Sequence, residues 1–229
     1  MVKIVETRGP CTFCGRALTR QGMSRHLAAC QSRQRAIERA NRTSGEGEEL
    51  YHLLVQEMAG EDYWLHLEMR GSATLDDLDD YLRAIWLECC GHLSQFSLGQ
   101  WQSPEIPMTT RASDIFEPGL EVLHVYDFGE SSWTSIQVVR VRRGQSLTGR
   151  PILLMARNDP PLYPCVVCGE PSSWLCMECL IEHDEWGTFC DEHAAEHPHE
   201  NYGPLRRLVN SPRTGMCGYE GPAEPPYKP

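Results

Sequence analysis

Residues 165–199 contain cysteines and histidines at the spacings of metal ligands. They form four successive pairs: Cys165 with Cys168, Cys176 with Cys179, Cys190 with His193, and His197 with His199. In the first three pairs, two intervening residues allow a tight turn to present both donors to one tetrahedral ion. Eight donors fill two four-ligand sites and leave no position for water, so this pattern predicts structural zinc.

The order of these pairs resembles the cross-braced zinc fingers of the MYND, HIT and B-box type, in which the first and third pairs share one ion. The resemblance implies two sites: Cys165, Cys168, Cys190 and His193 in one, and Cys176, Cys179, His197 and either His199 or His183 in the other. A linear pairing of the first four cysteines on one ion is the alternative, and Cys217 is a further candidate for the last ligand. Disulfides are disfavoured, because histidines at ligand spacing have no role in them.

A second donor pattern occurs near the N-terminus. Cys11 and Cys14 flank a short turn, and His26 and Cys30 are four residues apart, which places them on one face of a helix. The pattern resembles a C2H2-type zinc finger in a Cys-Cys-His-Cys version, with a small core expected from Leu18, Met23 and Leu27 and a helix cap at Thr19. The whole chain is therefore expected to hold about three Zn²⁺ ions.

The charge of the chain is divided unevenly between its two ends. Residues 1–44 contain nine Lys or Arg and two Glu, a balance of +7 within a total of −11, so the remainder carries −18. Arginines on a finger helix are suited to phosphate contact, and the candidate nucleic-acid contacts are Arg20, Arg25, Arg33 and Arg35. We expect weak, salt-sensitive binding of nucleic acid at this end, and protein contact through the acidic body and the C-terminal zinc module.

The central part has the periodicity of an α+β domain. Residues 51–55 and 65–69 alternate as a β-hairpin, and Thr74 and Asp77 form a capping box before an amphipathic helix. Further strands are predicted near residues 91–99, 120–126, 135–142 and 152–155. We expect a mainly antiparallel sheet with one packed helix, flanked by small zinc modules.

These patterns divide the chain into five parts. The predicted boundaries are a finger and helix at 1–44, a linker at 45–49, the α+β domain at 50–158, the double-zinc module at 159–200 and a tail at 201–229. Four prolines in residues 218–229 indicate that this end of the tail is extended and mobile, whereas Leu205 and Leu208 are expected to pack on the zinc module or the sheet.

The sequence Val125-Tyr-Asp-Phe-Gly-Glu-Ser-Ser-Trp and the segment Gly91-His-Leu-Ser-Gln-Phe96 resemble the plasmid pRiA4b ORF-3-like family, also called IS1096 passenger or TnpR-like proteins. The family hallmark is a YDFGD-x-W-x-H segment. The corresponding residues are His92, Asp127, Gly129, Glu130 and Trp133, and Ser135 occupies the position of the terminal histidine. The resemblance implies a fold and an association with mobile elements, without an established activity.

Catalysis is the rival interpretation of the central domain. Asp127 and Glu130, with His92 and His124, have the chemistry for a metal-dependent hydrolase or nuclease. However, the aspartates at 76–80 are expected to be solvated at a helix start, and Cys89 and Cys90 are expected to be buried thiols. No phosphate loop, Ser-His-Asp order or HExxH signature is present. The sequence therefore favours a non-enzymatic zinc-binding adaptor or regulatory protein.

The sequence has no run of 18 apolar residues and no apolar stretch in its first ten residues. We therefore expect a cytoplasmic protein without membrane contact, in a reducing compartment where paired cysteines bind metal more often than each other.

Overall fold

The computed structural model describes residues 6–42, 45–60, 62–99, 103–199 and 201–227. Its N-terminal part is a ββα finger followed by a second helix: β1 (Arg8–Pro10), β2 (Ala17–Thr19), α1 (Arg20–Ala29) and α2 (Gln31–Ala40). The two strands pair antiparallel, and Thr19 caps α1 by accepting a hydrogen bond from Gly22 N. Cys30 ends α1 and begins α2, so the helix does not continue straight through the last finger donor.

The central domain is a seven-stranded antiparallel sheet. Its strands are β3 (Glu48–Glu57), β4 (Trp64–Arg70), β5 (Ser94–Leu98), β6 (Glu105–Ile106), β7 (Glu121–Tyr126), β8 (Ser132–Gly144) and β9 (Ile152–Arg157), in the spatial order β6-β5-β7-β8-β3-β4-β9. Its helices are α3 (Leu75–Leu82), which continues as a π-helical turn (Arg83–Leu87), and α4 (Ala112–Ile115). Among the described residues, the helices are too short or too polar to cross a bilayer.

The predicted hairpin is confirmed as the β3–β4 pair, in which Leu53 lies opposite Leu67. Strand β3 begins at Glu48, two residues before the predicted start of this domain. Of the predicted linker at 45–49, only residues 45–47 therefore precede the strand. Residues 43–44, at the end of the predicted finger, lie outside the described residues.

Helix α3 has the predicted capping box. Asp77 N donates to Thr74 Oγ1, and the Asp77 carboxylate accepts from Thr74 N. One expectation for this helix is wrong, because Asp79 is buried rather than solvated. Its carboxylate contacts His124 on β7 and Arg83 one turn further along the chain.

The two faces of the sheet are covered by different parts of the chain. Leu65, Leu67 and Met69 of β4 face α3 in the main core, whereas Trp64 faces the finger. Trp64 is fully buried against Met23 and Leu27 of α1, so the expected finger core is shared with the sheet.

The finger is also attached to β9 by its backbone. Thr12 N donates to Met155 O at 2.9 Å, and Asp159 N donates to Arg8 O at 2.7 Å. A Cβ atom on Gly9 would lie 1.8 Å from Arg157 O, so this close approach requires glycine. The finger is therefore docked on the central domain and is not an independent unit on a flexible linker.

The C-terminal module consists of short elements around its cysteines. They are β10 (Trp174–Leu175), α5 (Met177–His183), β11 (Thr188–Phe189), α6 (Asp191–Glu196) and β12 (Arg206–Arg207), with the strands in the order β11-β10-β12. A small core of Cys165, Cys176, Cys179 and Phe189 lies between them.

The prediction that residues 218–229 are extended and mobile is wrong for the described part, because residues 219–227 pack on the central domain. Residues 210–227, which we call the strap, return to the central domain and pack on it. Ser211 Oγ donates to Trp86 O, and Tyr227 Oη accepts from Ile152 N at 3.2 Å. Tyr219 and Ala223 are buried. A proline-rich sequence predicts a mobile end, but the described prolines at 222, 225 and 226 lie next to Ala223 and Tyr227, which bond to Arg157 and Ile152.

Candidate metal centres

The finger brings its four donors together. Cys11, Cys14, His26 and Cys30 have ligand atoms within 4.8 Å of one another. Cys11 and Cys14 lie in the turn between β1 and β2, His26 is on α1, and Cys30 is at the junction of the two helices. Cys14 Sγ is 3.3 Å from His26 Nε2. Sulfur and nitrogen bound to one tetrahedral zinc are about 3.6 Å apart, so this donor set fits the ion.

The first group in the C-terminal module consists of Cys165, Cys168, Cys190 and His193. Cys168 Sγ is 3.8 Å from Cys190 Sγ, and Cys165 Sγ is 3.7 Å from His193 Nδ1. Burial acts to raise the pKa of the Cys165 thiol, but hydrogen bonds from the backbone of Cys190, Cys168 and Val167 lower it to about 6. The thiolate is the form that binds metal, so this turn is prepared for coordination.

The second group consists of Cys176, Cys179, His197 and His199. Cys176 caps α5, Cys179 lies in its first turn, and the histidines follow α6. Cys179 Sγ is 3.5 Å from His197 Nε2 and 3.3 Å from His199 Nδ1. A Cβ on Gly187 would lie 2.8 Å from Cys179 Sγ, so glycine leaves the space that the sulfur occupies.

The two groups interleave along the chain, with first and third pairs together and second and fourth pairs together. The described donors are not grouped as in the linear alternative. His183 lies outside the four-donor group, in a separate cluster with Glu178 and His199. Cys217 is also absent from the module, because the strap carries it to the central domain.

A fourth group was missed by sequence reasoning. Cys89 and Cys90 follow the π-helical turn, His92 precedes β5, and Cys217 comes from the strap. Cys90 and Cys217 are exposed and Cys89 is half-buried, so the expectation of buried thiols is wrong. Nothing local in the sequence connects Cys217 with Cys90. The number of cysteines is the signal in the sequence that points to a further group. The chain has eleven cysteines, and only eight of them are assigned to the finger and the module.

The residues of the suspected family motif surround this fourth group. His92 Nε2 is 3.3 Å from Asp127 Oδ2, and Asp127 forms an ion pair with the buried guanidinium of Arg213. Asp127, not Gly129, has the left-handed backbone, with φ 65°, and its Oδ1 accepts from Gly129 N. The turn at this position is therefore held by an aspartate in an unusual conformation.

This arrangement does not provide the pair of free carboxylates that the hydrolase alternative requires. The carboxylate of Asp127 forms an ion pair with Arg213 and accepts a hydrogen bond from Gly129 N. Glu130 is exposed, and it is its backbone carbonyl that accepts from Arg213. Trp133 is half-buried on β8, where its carbonyl accepts from Met58 N. His124, the other histidine considered, is paired with Asp79 between the sheet and α3.

The predicted nucleic-acid contacts separate into different environments. Arg25 and Arg35 are exposed and line a groove beside the finger donors. Arg33 instead donates to Glu68 at 2.7 Å, and Arg142 donates to the same carboxylate from β8. Arg33 therefore helps to dock α2 on the sheet, which corrects its expected role. Arg20 is half-buried at the edge of a second groove between α1 and the sheet.

Comparison with known proteins adds little to this description. No protein-family model matches the chain, and no curated protein matches it. A solved structure that it resembles is a protein of unknown function, MM3350, from Methanosarcina mazei Go1, with a TM-score of 0.39 and 18% identity. The match covers 45% of this chain and 66% of that one.

Proposed function

We propose that this protein is a non-enzymatic, zinc-stabilised adaptor that binds nucleic acid through its N-terminal finger. The cysteines and five of the histidines form groups of four that could hold metal ions. Mixed thiolate and imidazole donors favour zinc, and four protein ligands leave no open position for a substrate or an activated water. These sites are therefore suited to structural stabilisation rather than to hydrolysis.

The groove beside the finger donors supports the nucleic-acid part of this proposal. Arg16, Arg25 and Arg35 are exposed and line a groove of about 600 Å³, together with Cys14 and His26. Three guanidinium groups around one concave surface can each contact a phosphate oxygen of a single backbone segment. Arg39 and Arg42 extend the exposed basic surface along α2. This groove is the observation that carries the proposal.

Protein contact is proposed for the C-terminal module. Val166, Val167 and Trp186 are each more than half exposed there, with 58%, 61% and 57% of their surfaces accessible. Exposed apolar side chains on a small zinc module favour a protein partner over a polyanion, as does the acidic charge of residues 45–229.

Membership of the pRiA4b ORF-3-like family remains part of the proposal. It rests on the sequence resemblance of residues 91–96 and 125–133. The association with mobile elements depends on that resemblance alone.

The nucleic-acid proposal is tested by fluorescence anisotropy with labelled duplex DNA and single-stranded RNA over a range of salt concentrations. We expect log K to fall linearly with log salt for the full chain. Changing both Arg25→Glu and Arg35→Glu should weaken binding at low salt and reduce the slope by about 2, because two phosphate contacts are lost.

Arg207→Glu is the matched control, because Arg207 is exposed on the C-terminal module and not in the groove. It should bind like the unchanged protein. Absence of binding at low salt, or equal binding by the doubly substituted finger, would show that the groove does not bind nucleic acid.

A further inference from the structure

Cys89, Cys90, His92 and Cys217 form a group of donors that belongs neither to the finger nor to the C-terminal module. Their four ligand atoms lie within 4.8 Å of one another. We infer that this group binds a fourth Zn²⁺ ion, which fastens the strap to the central sheet. The inference is independent of nucleic-acid binding by the finger.

The distances between the donors fit one tetrahedral ion. Cys89 Sγ and Cys90 Sγ are 3.5 Å apart, and Cys217 Sγ is 3.5 Å from His92 Nε2. Zinc bonds of about 2.3 Å to sulfur and about 2.0 Å to nitrogen place two sulfurs about 3.8 Å apart and sulfur and nitrogen about 3.6 Å apart. Cys90 Sγ and His92 Nε2, at 2.9 Å, need to separate slightly as the ion enters.

The donor count of the whole chain supports the same conclusion. All eleven cysteines belong to one of the four-donor groups, so the described structure holds none that is unrelated to them. Together with five histidines they divide into four complete sets of four, which is the ligand number of structural zinc. The histidines in these sets are His26, His92, His193, His197 and His199.

The backbone holds the fourth set in place. Gly91, with φ +73°, turns the chain between Cys90 and His92, and its N–H donates to Glu88 Oε1 at 2.5 Å. Cys217 has φ 50°, a left-handed conformation that is unfavourable for a residue with a Cβ. Such conformations persist where surrounding contacts determine them, and here the result is that the thiol is directed at His92.

Arg213 supplies the charge that three thiolates around Zn²⁺ require. Its side chain is fully buried, its Nε is 3.4 Å from Cys89 Sγ, and its Nη2 is 3.6 Å from Cys217 Sγ. Because three thiolates outweigh the charge of the ion, a guanidinium next to two of them stabilises the loaded site. Asp127 keeps its bonds to Arg213 and Gly129 when His92 turns from it to the metal.

The ion would close a long loop. Cys217 is separated from His92 by 125 positions in the sequence, and that interval contains the whole C-terminal module. Bonds from the strap to the sheet, such as Ser211 Oγ to Trp86 O, already bring these residues together. A metal at this position therefore fixes where the module joins the rest of the molecule.

The test is metal analysis of the full chain, purified with Zn²⁺ present, by elemental mass spectrometry and native mass spectrometry. We expect four ions per chain, and three in Cys90→Ser and in Cys217→Ser. The double variant should also hold three, because both residues bind the same ion. Hydrogen exchange in residues 211–223 should become faster in Cys217→Ser, since the strap loses its anchor.

Ser211→Ala is the control, because it removes a strap contact without removing a donor, and it should retain four ions. In the unchanged protein, Cys89, Cys90 and Cys217 should resist alkylation until zinc is stripped. Three ions per chain with these three cysteines freely alkylated would overturn the inference. A disulfide between Cys89 and Cys90 in the purified protein would also overturn it.

Discussion

Two buried histidines lie between the sheet and the finger. His52 Nε2 is 2.8 Å from His66 Nδ1, and His66 Nε2 is 3.2 Å from Arg20 O at the start of α1. Burial, together with nearby cationic residues, lowers the pKa of both, and that of His66 to about 4. A pair of neutral imidazoles therefore joins β3, β4 and α1 through hydrogen bonds.

This pair predicts acid sensitivity of the folded protein. The histidine pKa is about 6.5 in an unfolded chain, so below that pH the unfolded state binds protons that the folded state does not. The free energy of unfolding should be unaffected above about pH 7 and fall, as the pH is lowered to about 4, by up to about 1.4 kcal/mol per pH unit for each of the two histidines. Urea unfolding at several pH values, with Zn²⁺ in excess, measures this slope.

His66→Gln provides the comparison, because it removes the titrating group and keeps a polar side chain. Its unfolding free energy should depend less on pH than that of the unchanged protein. Equal slopes between pH 5 and pH 6.5 would show that the two histidines do not account for the acid sensitivity.

At the scale of elements, α3 is attached to the sheet by a buried charge network. Asp79 accepts from His124 on β7 at 2.7 Å and from Arg83 at 2.5 Å. Burial alone would raise the pKa of Asp79, but the bonds from His124 and Arg83 lower it to about 2. The carboxylate is therefore charged at neutral pH, with partners on both sides.

Asp79→Asn should lower the free energy of unfolding by about 3 kcal/mol. The amide keeps the shape of the side chain but leaves Arg83 and His124 without the charge that they surround. Asp80→Asn is the matched control, because Asp80 is exposed one position away, and it should change stability by less than about 0.5 kcal/mol. Thermal or urea unfolding compares them, and similar losses in both variants would contradict this account of Asp79.

The elements that could be predicted from the sequence are those specified by patterns within a short segment. The β3–β4 hairpin follows from alternation within a short segment, and the start of α3 follows from Thr74 and Asp77. The burial of Asp79 could not be predicted from its place at the start of a helix. It results from the packing of β7, which carries His124, beside α3. Trp64 packs against α1 and Cys217 contacts His92, in both cases across more than 30 residues of sequence. The local hydrophobic periodicity of a sequence does not predict such long-range contacts.

At the scale of the whole molecule, the finger and module differ from the central domain in what stabilises them. The central domain has a large apolar core on the helix face of its sheet. The finger and the module have small cores made partly of their own cysteines. Small units of this kind need a bound metal to offset the loss of chain entropy.

Removal of metal by a strong chelator should therefore unfold the finger and the module while the seven-stranded sheet persists. Limited proteolysis should cut within residues 6–42 and 160–199 and spare residues 48–157. The fluorescence of Trp64, fully buried under the finger, should shift to the red, and Trp64→Phe identifies its share of the signal. Unchanged protease resistance after complete stripping would refute a structural role for the metal.

The C-terminal module begins and ends at the same place on the sheet. Asn158 Nδ2 donates to Asn210 Oδ1 at 3.0 Å, and Asn210 Nδ2 donates to Asn158 O at 2.8 Å. The module between Asn158 and Asn210 thus leaves the central domain and returns to it at the same point. Because both ends of the module lie at one place on the central domain, its insertion there leaves the order of the sheet strands intact.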